Sequence, residues 1–369
     1  MKLLFISIYK SCKKSKDMGI VKKIDLQKKQ FKKAGIDVKL IDYMHSMCFL
    51  AGVPIAATGK CEKVSGLSKY DAIYIRFLYG ASWDLIKFIR KYKKQRPDGK
   101  VLLEIPTYPY KDEMCSQCSR IYYYTTQIGL FFLHFYLDRF VLISSGLSSV
   151  MNIPVINIRN FIDYDATAVR TANDSRDVIN IICVASFNVW HGYDRLVEGL
   201  KNYLCLPDHE RVMLHMVGDL KRIRKLGLIR AAEQYNLQQN IIFYGVLTGE
   251  KLDAVYDKCD LACNSFGLHR IGFSVSASLK AREYAAKGLP MLVSSELDVE
   301  NADTEQYICH FPSDESPIDF VKLVQFYHRV YDGKDKQSVA DEIRSRFEKY
   351  CSVDECFKDV VQYVICGES

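Results

Sequence analysis

The densest chemistry in the sequence runs from His269 to Glu283, HRIGFSVSASLKARE. Serines crowd the start of a helix here, where free backbone N–H groups and the helix dipole favour an anion. Ser276, Ser278 and Leu279 form the loop-to-helix segment, and Arg270 and Lys280 add positive charge. Glu283 follows Lys280 by three residues on one helix face. A carboxylate beside a phosphate cradle can hold both hydroxyls of a ribose. The stretch therefore reads as a nucleotide-diphosphate site, with a surface Lys280–Glu283 ion pair as the plainer alternative. His269, at its start, is placed to meet a donor sugar or an acceptor.

Three more loops sit at the ends of strand-like runs. Asp17-Met18-Gly19-Ile20 opens a helix, and Gly19 lets backbone amides approach an anion, although a plain turn reads the same. Glu104-Ile105-Pro106-Thr107-Tyr108-Pro109-Tyr110 is stiffened by two prolines. Its Glu104, Thr107, Tyr108 and Tyr110 suit sugar hydroxyls and ring faces, or a rigid structural turn. Ser186-Phe187-Asn188-Val189-Trp190-His191-Gly192 leads from a strand into a helix and offers Ser186 and His191 to an anion.

Other chemistries lose support. No two of the 20 glycines are separated by a single residue, so there is no dinucleotide fingerprint. Walker-type, GxSxG and HExxH patterns are missing too. Cys115 and Cys118 make a lone CxxC without a second pair at zinc-site spacing. Asp163-Tyr164-Asp165 falls where two domains join, so it reads as linker. Neither a metal nor a cofactor is expected.

These loops need a scaffold, and the apolar pattern supplies one. Strands are expected at Leu3–Ile8, Val38–Ile41, Ala72–Arg76, Val101–Ile105, Phe140–Ser144 and Val155–Ile158, with helices at Gly19–Ala34 and about Trp83–Lys94. The second half repeats the alternation. Its strands are Ile179–Ala185, Met213–Val217, Ile241–Tyr244, Leu261–Cys263 and Pro290–Val293. Its helices are Tyr193–Tyr203, Ile223–Tyr235, Glu250–Lys258 and Ser278–Lys287. Such alternation means α/β architecture with parallel sheets covered on both faces, and 369 residues suit two such domains. In open sheets of this kind ligands bind beyond the carboxyl ends of the strands.

Charge divides the halves. Up to Asp163 there are 27 basic and 13 acidic residues, and from Tyr164 onward 24 basic and 31 acidic. The first half is built to meet an anion, and no nucleic-acid recognition motif accompanies its lysines. Ile121–Leu137, uncharged and rich in Tyr and Phe, reads as a core-facing helix or as an interfacial one. The thirteen scattered cysteines and the short apolar start point to a reducing cytoplasm.

VASFNVWHGYDRLVEGL from Val184, LHMVGDL from Leu214 and SLKAREYAAKGLPML from Ser278 together resemble glycosyltransferase family 4. EIPTYPY and GLHR add a resemblance to bacterial enzymes that assemble capsule, exopolysaccharide or lipopolysaccharide. The resemblance implies GT-B architecture, two doubly wound Rossmann-like domains facing each other across a cleft. It implies residues 1–163 as a basic, membrane-facing acceptor domain, 164–345 as a nucleotide-sugar domain, and 346–369 as a helix returning to the first.

Glu283 matches the second Glu of the family's Glu-x7-Glu motif, the ribose ligand. Val275 stands where the first Glu belongs. The family's Arg and Lys on the first loop of the second domain fall on Ser186 and His191, and Gly218 matches the glycine turn. Arg270 and Lys280 are the candidates to replace the lost charge and, with Glu283, to act in catalysis. The implied reaction is metal-independent sugar transfer, with retention, from a UDP- or GDP-sugar to a lipid-linked oligosaccharide at the inner face of the cytoplasmic membrane. A non-catalytic GT-B-like scaffold subunit of a polysaccharide assembly complex is the alternative, favoured by Val275. A nucleotide-sugar epimerase of the same architecture comes third.

Overall fold

The computed structural model describes residues 1–8, 18–51, 53–76, 82–106, 108, 120–144 and 146–367. The chain divides into two compact units, Met1–Arg159 with Val353–Ser369, and Asn160–Ser352.

The first unit runs β1 (Lys2–Ser7), α1 (Met18–Lys33), β2 (Asp37–Leu50), β3 (Val53–Cys61), β4 (Ala72–Arg76), α2 (Trp83–Gln95), β5 (Lys100–Ile105), α3 (Arg120–His134), β6 (Arg139–Ile143), β7 (Ser149–Val150) and β8 (Ile153–Ile158). Its sheet has the order β3-β2-β1-β4-β5-β6-β8-β7. The six strands β2, β1, β4, β5, β6 and β8 are parallel, and β3 and β7 pair antiparallel at the edges. β1, β4 and β5 are almost wholly buried, which their unbroken apolar runs require of strands covered on both faces. The strand expected at Val38–Ile41 continues to Leu50 and returns as β3, a hairpin that the sequence pattern conceals. Pro54 is tolerated because β3 is an edge strand, where a missing N–H breaks no ladder.

The second unit runs β9 (Ile179–Val184), α4 (Tyr193–Leu204), β10 (Val212–Val217), α5 (Leu220–Lys225), α6 (Leu228–Gln234), β11 (Ile241–Gly245), α7 (Glu250–Tyr256), β12 (Leu261–Cys263), β13 (Val275–Ser276), α8 (Leu279–Ala286), β14 (Met291–Val293), β15 (Glu296–Leu297), β16 (Ile308–His310), α9 (Phe320–Tyr331) and α10 (Lys336–Cys351). Its main sheet is parallel throughout, in the order β11-β10-β9-β12-β14-β16. That is the doubly wound order, and its direction reverses between β9 and β12, the point at which open sheets of this kind bind ligands beyond the strands' carboxyl ends. The helix expected at Ile223–Tyr235 is two helices, because Gly227 takes a left-handed conformation between them.

The chain then closes the first unit with α11 (Val353–Cys356) and α12 (Lys358–Cys366). Phe357 packs edge-on against Phe31 and Tyr74, and Lys100 donates to the carbonyls of Tyr363 and Val364.

At the carboxyl ends of β4 and β5 lies a buried ionic cluster. Glu104 is 0% exposed. One of its oxygens meets Arg76 Nη1 at 2.6 Å and Lys23 Nζ at 3.7 Å. The other accepts from Gln27 Nε2 at 2.6 Å and Tyr74 OH at 2.7 Å. Burial alone would raise its pKa, but Arg76, then Lys23, then the two hydrogen bonds hold it below the ordinary range. Both oxygens are thus taken inside the unit. The expectation that Glu104 meets a sugar is corrected: the residue ties α1 to the strand ends.

Glu104→Ala would leave Arg76 and Lys23 buried without their counter-charge, so chemical denaturation should show a loss of about 3–5 kcal/mol. The ionised carboxylate's contribution is present above the ordinary carboxylate range and lost as pH falls through its lowered folded value. An unchanged midpoint in the variant would remove Glu104 from this role.

Candidate functional site

The residues singled out in the second half gather at the carboxyl edge of the second unit's sheet, around the β9/β12 reversal. Tyr284 fixes that point. Its buried hydroxyl accepts from the Val184 N–H at 3.0 Å and donates to the Cys263 carbonyl at 3.2 Å, joining the ends of the two strands. Arg282, also buried, anchors the start of the same helix. It donates to the carbonyls of Asn160 (2.9 Å) and Ser278 (3.3 Å) and to Asp298 (2.5 Å). Asn160 in turn donates to the Ala277 carbonyl. Glu283 lies between these two anchors, partly exposed, near Tyr256, whose phenol pKa is raised by burial and then by this carboxylate.

Ser278 caps α8 by accepting from the Ala281 N–H at 3.4 Å, and its hydroxyl also meets Asn264 Oδ1 at 3.2 Å. Lys280 points from the first turn towards β12. Its amine lies 2.9 Å from Ser265 Oγ and 3.4 Å from Tyr193 OH, above the Tyr193 ring. Burial pulls the Lys280 pKa down to about 7. Among the described residues no carboxylate pairs with it. Ser276 is buried on β13, while Leu279 is exposed at the helix start.

The loop after β9 supplies the facing wall. His191 is buried, and its Nδ1 accepts from the Asn188 N–H at 2.9 Å, which leaves Nε2–H as the donor. Burial, and next the Lys280 charge, push its pKa down to about 3, so it is a neutral donor. It therefore adds no positive charge to this loop. Its ring stacks on Tyr193 at 5.6 Å. Gly192 is required here: φ is +64°, and a Cβ would stand 2.6 Å from the Gly267 nitrogen. Ser186 Oγ accepts from Asn188 Nδ2, and Asn188 Oδ1 accepts from Arg222. Gly218 allows close contact between loops, since a Cβ would lie 2.1 Å from the Ala185 carbonyl oxygen.

Arg270 plays another part than expected. Its guanidinium meets both oxygens of Asp194 (3.0 and 2.7 Å), both of Glu315 (2.9 and 2.5 Å) and the Val189 carbonyl (2.8 Å). All five N–H groups are engaged, so in this arrangement Arg270 clamps the 267–272 loop and has no donor for a diphosphate. His269 joins the clamp through Glu315 at 2.6 Å. Val275 is 43% exposed on β13 and stands in register with Glu296 of β15. Glu296 is exposed and makes no side-chain hydrogen bond or ion pair among the described residues.

The first-half candidates do not join this set. Gly19 is the second residue of α1, and Tyr108 packs partly buried against the first unit's core. Thr107, Tyr110, Asp17, Cys115 and Cys118 lie outside the described residues. Sequence reasoning missed Tyr193, Ser265, Arg282, Tyr284 and Glu296, whose placement depends on residues distant in the chain. A cavity of about 430 Å³ lies at the opposite, amino edge of the sheet, lined by Asn180, His215, Tyr244 and Asp260 among others. His215 is satisfied there by Asn180 and Tyr244, and burial lowers its pKa to about 4.

No family model matches the chain, and no curated protein sequence matches it. Solved structures do. Sucrose-phosphate synthase from Thermosynechococcus elongatus is similar over 100% of both chains, with a TM-score of 0.61 and 12% identity. A glycosyltransferase from Rickettsia africae gives 0.60 at 11% identity, over 100% of this chain and 99% of its own. Anabaena HepE, in complex with UDP and glucose, gives 0.58 at 11% identity over 99% of each. The chain has the α/β fold of the GT-B glycosyltransferases.

Proposed function

We propose that this protein is a retaining glycosyltransferase of the family 4 type. It moves a sugar from a nucleotide diphosphate to a lipid-linked saccharide during surface polysaccharide assembly, at the inner face of the cytoplasmic membrane. The observation that carries this reading is the Lys280 amine, held without a carboxylate partner beside the capped start of α8 and the neutral His191. A diphosphate supplies the counter-charge such a group lacks. That HepE was solved with UDP and with UDP-glucose makes a uridine nucleotide the first donor to test.

In the proposed step an acceptor hydroxyl attacks the anomeric carbon on the face the diphosphate leaves. The new carbon–oxygen bond forms as the carbon–phosphate-oxygen bond breaks, and the hydroxyl proton passes to the departing phosphate oxygen. Lys280, the α8 N–H groups and His191 Nε2–H stabilise the growing negative charge in place of a metal. Glu283 holds the ribose, and Glu296 offers the sugar a carboxylate beside Val275. The second unit takes the donor and the basic first unit the acceptor.

A nucleotide diphosphate should raise the second unit's melting temperature by about 2–4 °C per kcal/mol of binding. Glu283→Ala should lose roughly 1.5–3 kcal/mol of that binding. No stabilisation by any nucleotide, with no sugar transferred or hydrolysed, would favour the scaffold reading to which Val275 points; a free epimerised donor would identify an epimerase.

Binding should also depend on pH. The diphosphate selects the ammonium form of Lys280 and raises its pKa, so affinity is greatest below pH 7. Above about pH 7 it falls, by up to about tenfold per pH unit. Calorimetry with an intact nucleotide sugar, whose diphosphate does not titrate in this range, reads the profile; Lys280→Met should flatten it. Glu296→Gln should weaken the nucleotide sugar and leave the plain nucleotide diphosphate unchanged, whereas equal effects on both would remove Glu296 from the sugar subsite.

A further inference from the structure

Exposed large apolar side chains in the second unit are scattered singly, as on any globular surface. On α3 and the turn that follows it they form a line. Ile121, Tyr124, Ile128, Phe131 and Phe135 are each at least half exposed, at spacings of three and four residues. The opposite face of the same helix is buried through Tyr122, Thr126, Gly129, Leu130 and Leu133. A helix apolar on both faces calls for two apolar partners, and among the described residues only one is present. Phe132 carries the line sideways to Trp83 of α2, ring centroids 5.1 Å apart, and Trp83 is 58% exposed. The neighbouring hairpin β2–β3, which packs on α2 and α3, adds exposed Met44, Phe49 and Leu50.

Charge identifies the missing partner. α2 presents Lys87, Arg90, Lys91 and Lys94, all exposed and without an ion pair among the described residues. The only fully charged side chain on α3 is Arg120. A second copy of the chain would bring like charges together, whereas an anionic lipid surface meets both features at once. Tyr, Trp and Phe are the rings that settle at a headgroup boundary, and basic residues beside them face anionic headgroups. No helix among the described residues is long and apolar enough to cross a membrane.

We infer that the outer face of α3, with Trp83 and the four cations of α2, is an in-plane docking surface for an anionic lipid bilayer. This rests on the proposed reading, because docking there brings the acceptor-binding unit to a lipid-linked acceptor. The helix lies in the interface with Tyr124 and Phe131 at headgroup level, and the α2 cations hold the surface at moderate salt.

Trp83 reports on it directly. The chain has two tryptophans, so the Trp190→Phe protein carries Trp83 alone. Mixed phosphatidylglycerol/phosphatidylcholine vesicles should shift its emission to the blue and let brominated lipid quench it, with much less effect from phosphatidylcholine alone. Ile128→Ser/Phe131→Ser/Phe135→Ser should lower vesicle partitioning roughly tenfold or more. Those residues are exposed, so its melting temperature and its response to nucleotide diphosphates should match the parent. No blue shift on anionic vesicles overturns the inference. So does a parent that is dimeric without lipid while the triple variant is monomeric and both ignore vesicles. Vesicle binding without any nucleotide response would retain the docking surface and overturn the transferase reading.

Discussion

A lysine amine placed among hydroxyls and rings, with no carboxylate against it, is the constraint around which the second unit is arranged. Keeping the Lys280 cation away from water is unfavourable, and the pKa near 7 is the direct expression of that. The fold bears this because the amine sits at the sheet reversal, where strand ends diverge and hydroxyls of Ser265 and Tyr193 can reach it. Everything nearby is organised to keep it there without neutralising it. Asp194, Glu315 and Asp298, three acids of the surrounding loops, are each bound to an arginine.

Those arginines do structural work in two different ways. Arg282 is buried and spends its N–H groups on the residues that lead into α8, so the helix start is set by a side chain from its own first turns. Arg270 lies nearer the surface and ties the loop after β12 to the loop after β9. Two residues after Arg282, Tyr284 joins the two strands. Loops fixed at both ends by charge-assisted bonds are preorganised, so little reordering is left for the moment a ligand arrives.

Strand-and-helix alternation was legible in the sequence because parallel strands buried on both faces leave unbroken apolar runs. The β2–β3 hairpin was not, since residues 44–58 mix Ala, Gly, Thr and Pro without alternation, and an edge hairpin leaning on α2 and α3 needs none. Of the site, the serine-rich start of α8 with Lys280 and Glu283 was readable as a local pattern. Roles that depend on distant partners were not. Arg270 and Glu104 look like free charges in the sequence; their partners stand 45 or more positions from Arg270 and 28 or more from Glu104. His191 looks like a switchable cation, and only its burial, with Lys280 beside it, makes it neutral.

That last pairing bears on the chemistry. Two cations side by side in a partly desolvated site repel, so the Lys280 ammonium and an imidazolium at His191 exclude one another. The neutral ring is held with Nδ1 as acceptor from Asn188, which commits Nε2–H outward as a donor. The site then presents the Lys280 cation and several neutral donors, the capped α8 N–H groups among them, while Arg222 is turned onto the Asn188 side chain. In the proposed transfer a departing diphosphate gains about one unit of negative charge as its bond to the sugar breaks. A single cation backed by neutral dipoles responds to that increment, whereas a second cation would also grip the donor before reaction and deepen the ground state. In the proposed reading the positive charge thus stands on α8, at Lys280, and the loop after β9 contributes hydrogen bonds.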